Sequence, residues 1–290
     1  MIDLHLHTTA SDGSLTPREL VARAARIGVT AIAITDHDTT EGLQEARQYA
    51  AYFNLEVVAG VEISAEYEGT MHILGYFIDP KCETLQNRLE QMRAARKVRN
   101  PQIVEKLRSL GLKISLDEVI AVSGNKQVVG RPHFARVMLE KGYVKSIEEA
   151  FEKYLKKGAP AYVPKERLCP KAAIETIHAA GGVAVLAHPY QLKLPAHTLQ
   201  TVVAELVTFG LDGIEAIYSR HSQQQTEFYT ELAKRYDLLI TGGSDFHGAV
   251  KPDIEIGLGL GNLCVPEKIL DTLRTRSGKC KCTSMRECLN

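Results

Sequence analysis

Nine side chains of types that hold metal ions stand along the chain in the order His5, His7, Asp12, His37, Glu62, His72, His188, Asp245 and His247. In extended backbone, residues i and i+2 share a face, so His5-Leu6-His7 and Asp245-Phe246-His247 each direct two donors to one side. Imidazoles mixed with carboxylates suit borderline divalent ions such as Mn, Fe or Zn better than Mg or Ca, which prefer oxygen shells. Nine donors are too many for one ion. Taken singly they also carry bland readings. A lone His-x-His arises by chance, and His188, before Pro189 and after an apolar run, could equally be a satisfied histidine closing a buried strand.

The elements that must position these groups decide the weighing. Short β-rich runs cover Ile2 to His5, Ala31 to Asp36, Val57 to Glu62, Ile73 to Tyr76, Val183 to His188, Ile214 to Tyr218 and Leu238 to Asp245, mostly with a polar group near the C-terminal end. His72, just inside the fourth run, is the least regular. Helical patterns separate several of the runs, for instance Pro17 to Ile27, Thr40 to Ala51, Pro170 to Ala180 and Ser222 to Tyr236. That alternation predicts an α/β protein with parallel strands. In a closed βα barrel, reactive groups gather at the C-terminal rim, where the nine donors would converge.

Motifs then accumulate in a fixed order. The chain opens Asp3-Leu4-His5-Leu6-His7-Thr8-Thr9-Ala10-Ser11-Asp12-Gly13 and continues with Ile34-Thr35-Asp36-His37-Asp38, Gly60-Val61-Glu62 and His72-Ile73-Leu74-Gly75. Ala187-His188-Pro189 and Gly243-Ser244-Asp245-Phe246-His247-Gly248 follow. In these segments the sequence resembles the PHP (polymerase and histidinol phosphatase) metallophosphoesterases, and within them the small bacterial nucleotide phosphatases. The resemblance implies a distorted (β/α)7 barrel holding two or three divalent transition metals, manganese ahead of zinc or iron. It implies that His5, His7, Glu62 and Asp245 hold one ion, that Glu62, His72 and His188 hold a second, and that Asp12, His37 and His247 hold a third. Glu62, Asp245 and His188 would form the catalytic core of that set. Asp36 and Asp38, on either side of His37, read either as groups orienting an imidazole or as solvated turn residues.

Bulk properties fit a soluble cytoplasmic enzyme. With 290 residues and 44% hydrophobic content the chain can bury a sizeable core. No run approaches the roughly 18 apolar residues of a membrane span. Six scattered cysteines, Cys82, Cys169, Cys264, Cys280, Cys282 and Cys288, form no paired framework, so reduced thiols are expected. The Cys280-x-Cys282 and Cys288 spacing matches no common zinc motif.

Net charge is zero overall but unevenly spread. Residues 81–164 carry 17 Lys+Arg against 9 Asp+Glu, leaving 18 against 26 elsewhere. We therefore read residues 1–80 and 165–290 as two parts of a catalytic barrel and 81–164 as a basic, mainly helical insertion or cap. Its helical patterns are Thr84 to Leu110, interrupted at Asn100-Pro101, then Leu116 to Val122 and Pro132 to Lys141. Most of its charges read as solvated surface, Arg96 and Lys97 among them. Arg131 differs, because Gly130 permits close approach, Pro132 opens a helix, and a guanidinium fork suits phosphate. The family resemblance makes the Gly130-Arg131-Pro132-His133 stretch substrate-facing, with Arg99 and Asn100 as a second such group. Arg220 and His221, after the sixth run, are rim candidates.

The chain lacks a P-loop, since Gly242-Gly243-Ser244-Asp245 has neither the lysine nor the spacing. Ser219 and Ser244 sit in no nucleophile elbow, so metal-activated hydroxide is the expected nucleophile. Three classes of function remain. The first is a phosphomonoesterase of small nucleotides, best matched by the 3'-phosphate of nucleoside 3',5'-bisphosphates. The second is a 5'-3' exoribonuclease on short RNA, and the third a non-catalytic PHP module serving a partner. Histidinol phosphate is a further substrate to consider. The absence of a long basic tract argues against long nucleic acid, and nothing suggests a membrane partner.

Overall fold

The computed structural model describes residues 1–123, 129–164 and 167–278. Seven strands, β1 (Ile2–Leu6), β2 (Ala31–Ile34), β3 (Glu56–Ala65), β4 (Met71–Tyr76), β5 (Val183–Leu186), β6 (Gly213–Tyr218) and β7 (Leu239–Gly243), pair in sequence order. Helices α1 (Pro17–Ile27), α2 (Gly42–Ala50), α3 (Glu83–Ser109), α4 (Leu116–Ser123), α5 (Arg131–Glu140), α6 (Ile147–Ala150), α7 (Pro170–Ala179), α8 (Ala196–Thr208), α9 (Gln223–Arg235) and α10 (Glu267–Arg276) fill the connections.

The sheet curls into a nearly closed barrel. At the seam, the Asp245 amide donates to the His5 carbonyl at 2.9 Å and the His7 amide to that of Phe246 at 3.0 Å. Gly243 permits this approach, because a Cβ there would lie 2.4 Å from that of His5. A register shift between Asp3 and Leu6 interrupts the alternation along β1, so that Ile2 and Leu4 pack with Leu270 and Leu273 of α10 while Leu6 joins the cluster that holds Leu20 and Leu43. Local signals agree with the helices. Thr16 and Glu19 form a reciprocal capping box at α1, worth about 1 kcal/mol, and Gly28 ends that helix at φ 84°.

The expectation of parallel strands needs one correction. β4 runs antiparallel to both β3 and β5. Only residues 66–70 separate it from β3, too few for the crossover a parallel pair requires, so the two strands form a hairpin. Reversal places the start of β4 at the rim where its neighbours end. This explains His72, whose register partner is Ser64, two residues beyond Glu62.

The inserted segment has its own packing centre. Leu85, Leu89 and Met92, early in α3, join the barrel core. Ile103, Val104 and Leu107 instead pack with Phe134, Val137, Met138, Leu155 and Val163. α3 continues through Pro101 rather than breaking there. Proline forfeits the bond to the Lys97 carbonyl, and exposed Lys97 leaves that group open to water. Among the described residues no helix is long and apolar enough to cross a membrane. Cys82, Cys169 and Cys264 are free thiols, whereas Cys280, Cys282 and Cys288 lie outside the described residues.

Candidate metal centre and arginine pocket

All nine donors meet at the barrel mouth. His5 belongs to β1, Glu62 to β3 and His72 to β4, while His7, Asp12, His37, His188, Asp245 and His247 follow strand ends. Their donor atoms form four overlapping groups, each spanning no more than 4.8 Å: His7, Asp12, His37 and His247; His5, His7 and Asp245; His5, Glu62 and His188; and His37, Glu62 and His72. Glu62 is the hub. Its Oε1 lies 2.8 Å from His72 Nδ1 and 2.9 Å from His188 Nε2, and its Oε2 lies 3.0 Å from His37 Nδ1 and 3.2 Å from His7 Nε2. His37 thus faces Glu62 and His72 as well as Asp12 and His247, a wider role than the sequence suggested.

The donor set fits divalent cations. His5 Nε2, both ring nitrogens of His7, His37 Nδ1, His188 Nδ1 and Glu62 Oε2 are buried without a well-directed hydrogen bond. Such atoms are costly to leave unsatisfied, and ligation is the natural remedy. Electrostatics keep the carboxylates ionised. Burial alone would raise Glu62 and Asp245, but the imidazoles of His37, His72 and His5 hold Glu62 well below its ordinary range. Lys251, His247 and His5 do the same for Asp245. Burial pulls His72 and His247 down to about 4. Burial would lower His7 too, but the nearby carboxylates of Asp245 and Glu62 outweigh it and lift the imidazole to about 9.

Other residues hold the donors in place. Glu215, fully buried in β6, sets Oε1 2.8 Å from His5 Nδ1, and its Oε2 accepts the His188 amide at 2.7 Å. That second bond steadies a residue at φ 24°, a sparsely populated conformation for a side-chain-bearing residue. Tyr218 donates to Asp245 Oδ2 at 2.7 Å, and Lys251 Nζ lies 2.5 Å from the same oxygen. Asp36 and Asp38 are both buried, which removes the solvated reading. Asp36 accepts from Thr8 and Ser11 in the β1 loop, and Asp38 from Ser64 and Arg96.

Two connected cavities open on this centre. The larger, about 570 Å³, is walled by Glu62, His188, Asp245 and His247 together with Arg220 and Lys251. The smaller, about 270 Å³, shares Asp12, His37 and His72 with it and adds Arg96, Arg99, Arg131 and Arg167. Only Arg96 of these four has a carboxylate partner among the described residues, in Asp38. Arg131 donates to the Leu155 carbonyl at 2.9 Å and lies over the Phe151 and Tyr162 rings. Arg99 reaches Asn100 Oδ1 at 3.4 Å, and its Nε is buried without a partner. Burial, aided by Arg96, Arg131 and Arg167, lowers the Arg99 guanidinium to about 9. With Arg96 paired to Asp38, and Asp12 on the metal side, the crowded guanidiniums of Arg99, Arg131 and Arg167, none with a carboxylate partner among the described residues, form an anion pocket.

The profile of the PHP domain matches residues 3–163. The chain belongs to the PHP domain family. It is 37% identical over 246 residues to a 5'-3' exoribonuclease of Haemophilus influenzae, covering 84% of this chain and 89% of that one. Identity to a 3',5'-nucleoside bisphosphate phosphatase of Chromobacterium violaceum is 35% over 257 residues, covering 88% and 90%. A solved metal-dependent phosphoesterase from Bifidobacterium adolescentis superposes with a TM-score of 0.84 at 32% identity, covering 95% of this chain and 96% of the other. As a PHP protein with these relatives, the chain is a metal-dependent phosphoric ester hydrolase.

Within this PHP barrel the expected substrate residues separate into two sets. Arg99, Arg131 and Arg220 line the cavities, although Arg220 is also paired with Asp253 at 2.8 Å. Asn100, His133 and His221 line neither. Asn100 donates to the Val129 carbonyl at 3.0 Å, and His133 Nδ1 accepts the Gly130 amide at 2.9 Å, closing the turn that presents Arg131. His221 bonds the Ala216 carbonyl and packs among Tyr190, Tyr218 and Tyr229. Arg96 corrects the sequence reading, being 7% exposed rather than solvated. The spacing of Arg93, Arg96 and Arg99 on one helical face was the available signal. A lone acid in an otherwise apolar strand marked Glu215. No spacing rule pointed to Lys251 or Arg167.

Proposed function

We propose that this PHP protein removes the 3'-phosphate from nucleoside 3',5'-bisphosphates. The observation that carries the reading is the pocket of Arg99, Arg131 and Arg167, free of carboxylate partners among the described residues, directly beside the His/Asp/Glu centre. Two anion-binding elements that share walls match a compact substrate with two phosphates. His5, His7, Glu62 and Asp245 would hold one ion, Glu62, His72 and His188 a second, and Asp12, His37 and His247 a third, with manganese as our assignment from the mixed nitrogen and oxygen donors. When bound, such ions supply Lewis acidity toward phosphoryl oxygens and a nucleophile at neutral pH.

The chain's own residues then do the positioning. Arg131 and Arg99 grip the 5'-phosphate, Arg167 closes that pocket, and residues 81–164 act as the cap that carries two of these three groups. Remote binding energy orients the 3'-phosphorus at the metal centre. The C. violaceum relative, named for this substrate, supports the reading. We place the reaction in the cytoplasm, where the free thiols would stay reduced.

A second reading has support from the larger cavity beside Arg220 and Lys251. Its room suits a phosphate esterified to a further nucleotide, as in short RNA, and the H. influenzae relative is named an exoribonuclease. Product analysis with manganese-loaded protein separates the two readings. Faster phosphate release from the bisphosphate than mononucleotide release from a 5'-phosphorylated oligoribonucleotide supports the first, and the reverse order supports the second. Release of neither overturns both.

A further inference from the structure

Three uncharged side chains, Pro132, Phe151 and Gln191, line both the arginine pocket and the larger cavity. They therefore stand on the wall between the two proposed phosphate sites, where the nucleoside part of a bisphosphate must lie. Among the described residues lining either cavity, Phe151 is the one aromatic ring other than histidine. It is half-buried and opens a single π-helical turn, Phe151–Leu155, directly after α6. π-turns of this kind are rare and tend to occur at functional sites. The Arg131 guanidinium lies 5.7 Å from its ring centroid, which links the ring's position to the anion pocket.

An apolar ring and a proline gain nothing from phosphate. They suit a flat, weakly hydrated π-face, and stacking on an aromatic side chain accepts any base because every base has such a face. We propose that Phe151, flanked by Pro132, is the platform on which the substrate's nucleobase stacks, making it the residue that selects nucleoside bisphosphates over sugar bisphosphates. This deepens the reading above and rests on it. Selection is for a base as such, with purines ahead of pyrimidines in order of stacking area.

The test compares adenosine 3',5'-bisphosphate with 1-O-methylribose 3,5-bisphosphate, which keeps both phosphates and lacks the base. Wild-type protein should favour the adenosine compound in kcat/KM by on the order of tenfold. Phe151→Ala should collapse that ratio toward one, while Phe151→Tyr keeps it. Equal losses on both substrates in Phe151→Ala would reduce the ring to a support for Arg131 and overturn the proposal. Binding is read independently of turnover with 2-aminopurine riboside 3',5'-bisphosphate. Its fluorescence should be quenched by wild-type protein and Phe151→Tyr, and recover in the Phe151→Ala complex. A bound, unquenched probe on wild-type protein overturns the platform whatever the turnover, and absence of turnover with a quenched probe overturns the phosphatase reading instead.

Discussion

Glu215 Oε1 lies 2.8 Å from His5 Nδ1, and neither side chain has any solvent exposure. With the Nδ1 proton donated to this carboxylate, His5 presents Nε2, its partnerless nitrogen, to the centre. Glu215→Gln weakens that control while keeping the shape. It should lower metal affinity about 10- to 100-fold, measured by competition with a chelating dye, with the melting temperature of the metal-free protein little changed. Undiminished affinity would show that Glu215 does no more than fill space.

Glu62 contacts five imidazoles, those of His5, His7, His37, His72 and His188, and Asp245 closes the barrel seam beside His5. Glu62→Gln and Asp245→Asn should each remove nearly all turnover and reduce the metal bound per chain, measured by elemental analysis on folded protein. His7→Ala should behave likewise. A metal-free variant with undiminished rate would sink the assignment of these residues as ligands.

Much of this centre was legible because strand periodicity and motif order carry one-dimensional information. His5-x-His7 and Asp245-x-His247 give their positions away by spacing alone. His72 was irregular because chain direction in β4 depends on the length of a turn, which no donor motif records. Arg96 and Glu215 were hidden for a different reason. A helix face or an interior strand position reads as polar until the opposing element is known, and here the opposing groups, Asp38 and His5, are 58 and 210 residues away. Asn100, His133 and His221 show the converse. Each sits beside an arginine that lines a cavity, yet each uses its side chain to hold backbone.

Arg131 is held by a carbonyl and two rings, with no carboxylate to neutralise it among the described residues. Arg131→Ala should cost about 2 to 3 kcal/mol in transition-state binding for the bisphosphate, the scale of a charge-assisted hydrogen-bonded pair. Arg131→Lys should recover little, since the ammonium loses the fork. Metal content should stay at the wild-type level. Steady-state kinetics indistinguishable from wild type in both variants would reduce the cap to scaffold.

Away from the site, His178 Nε2 lies 2.8 Å from Asp212 Oδ2, and this hydrogen bond raises the imidazole against partial burial. A raised histidine contributes stability that is complete below its unfolded value of about 6.5 and is lost as pH rises through the folded value. The melting-temperature deficit of His178→Gln should therefore be largest near pH 6 and shrink toward pH 9. The ring is half-exposed, so the deficit should also fall with added salt. A deficit that grows with pH would reverse the sign of this linkage.

The most direct test of two phosphate anchors is the kcat/KM of manganese-loaded wild-type protein for a nucleoside 3',5'-bisphosphate against the matching 3'-monophosphate. Both lose the same 3'-phosphate, and only the first can engage Arg99, Arg131 and Arg167. We expect the bisphosphate to be favoured by on the order of tenfold or more. Equal values for the two substrates would contradict the account.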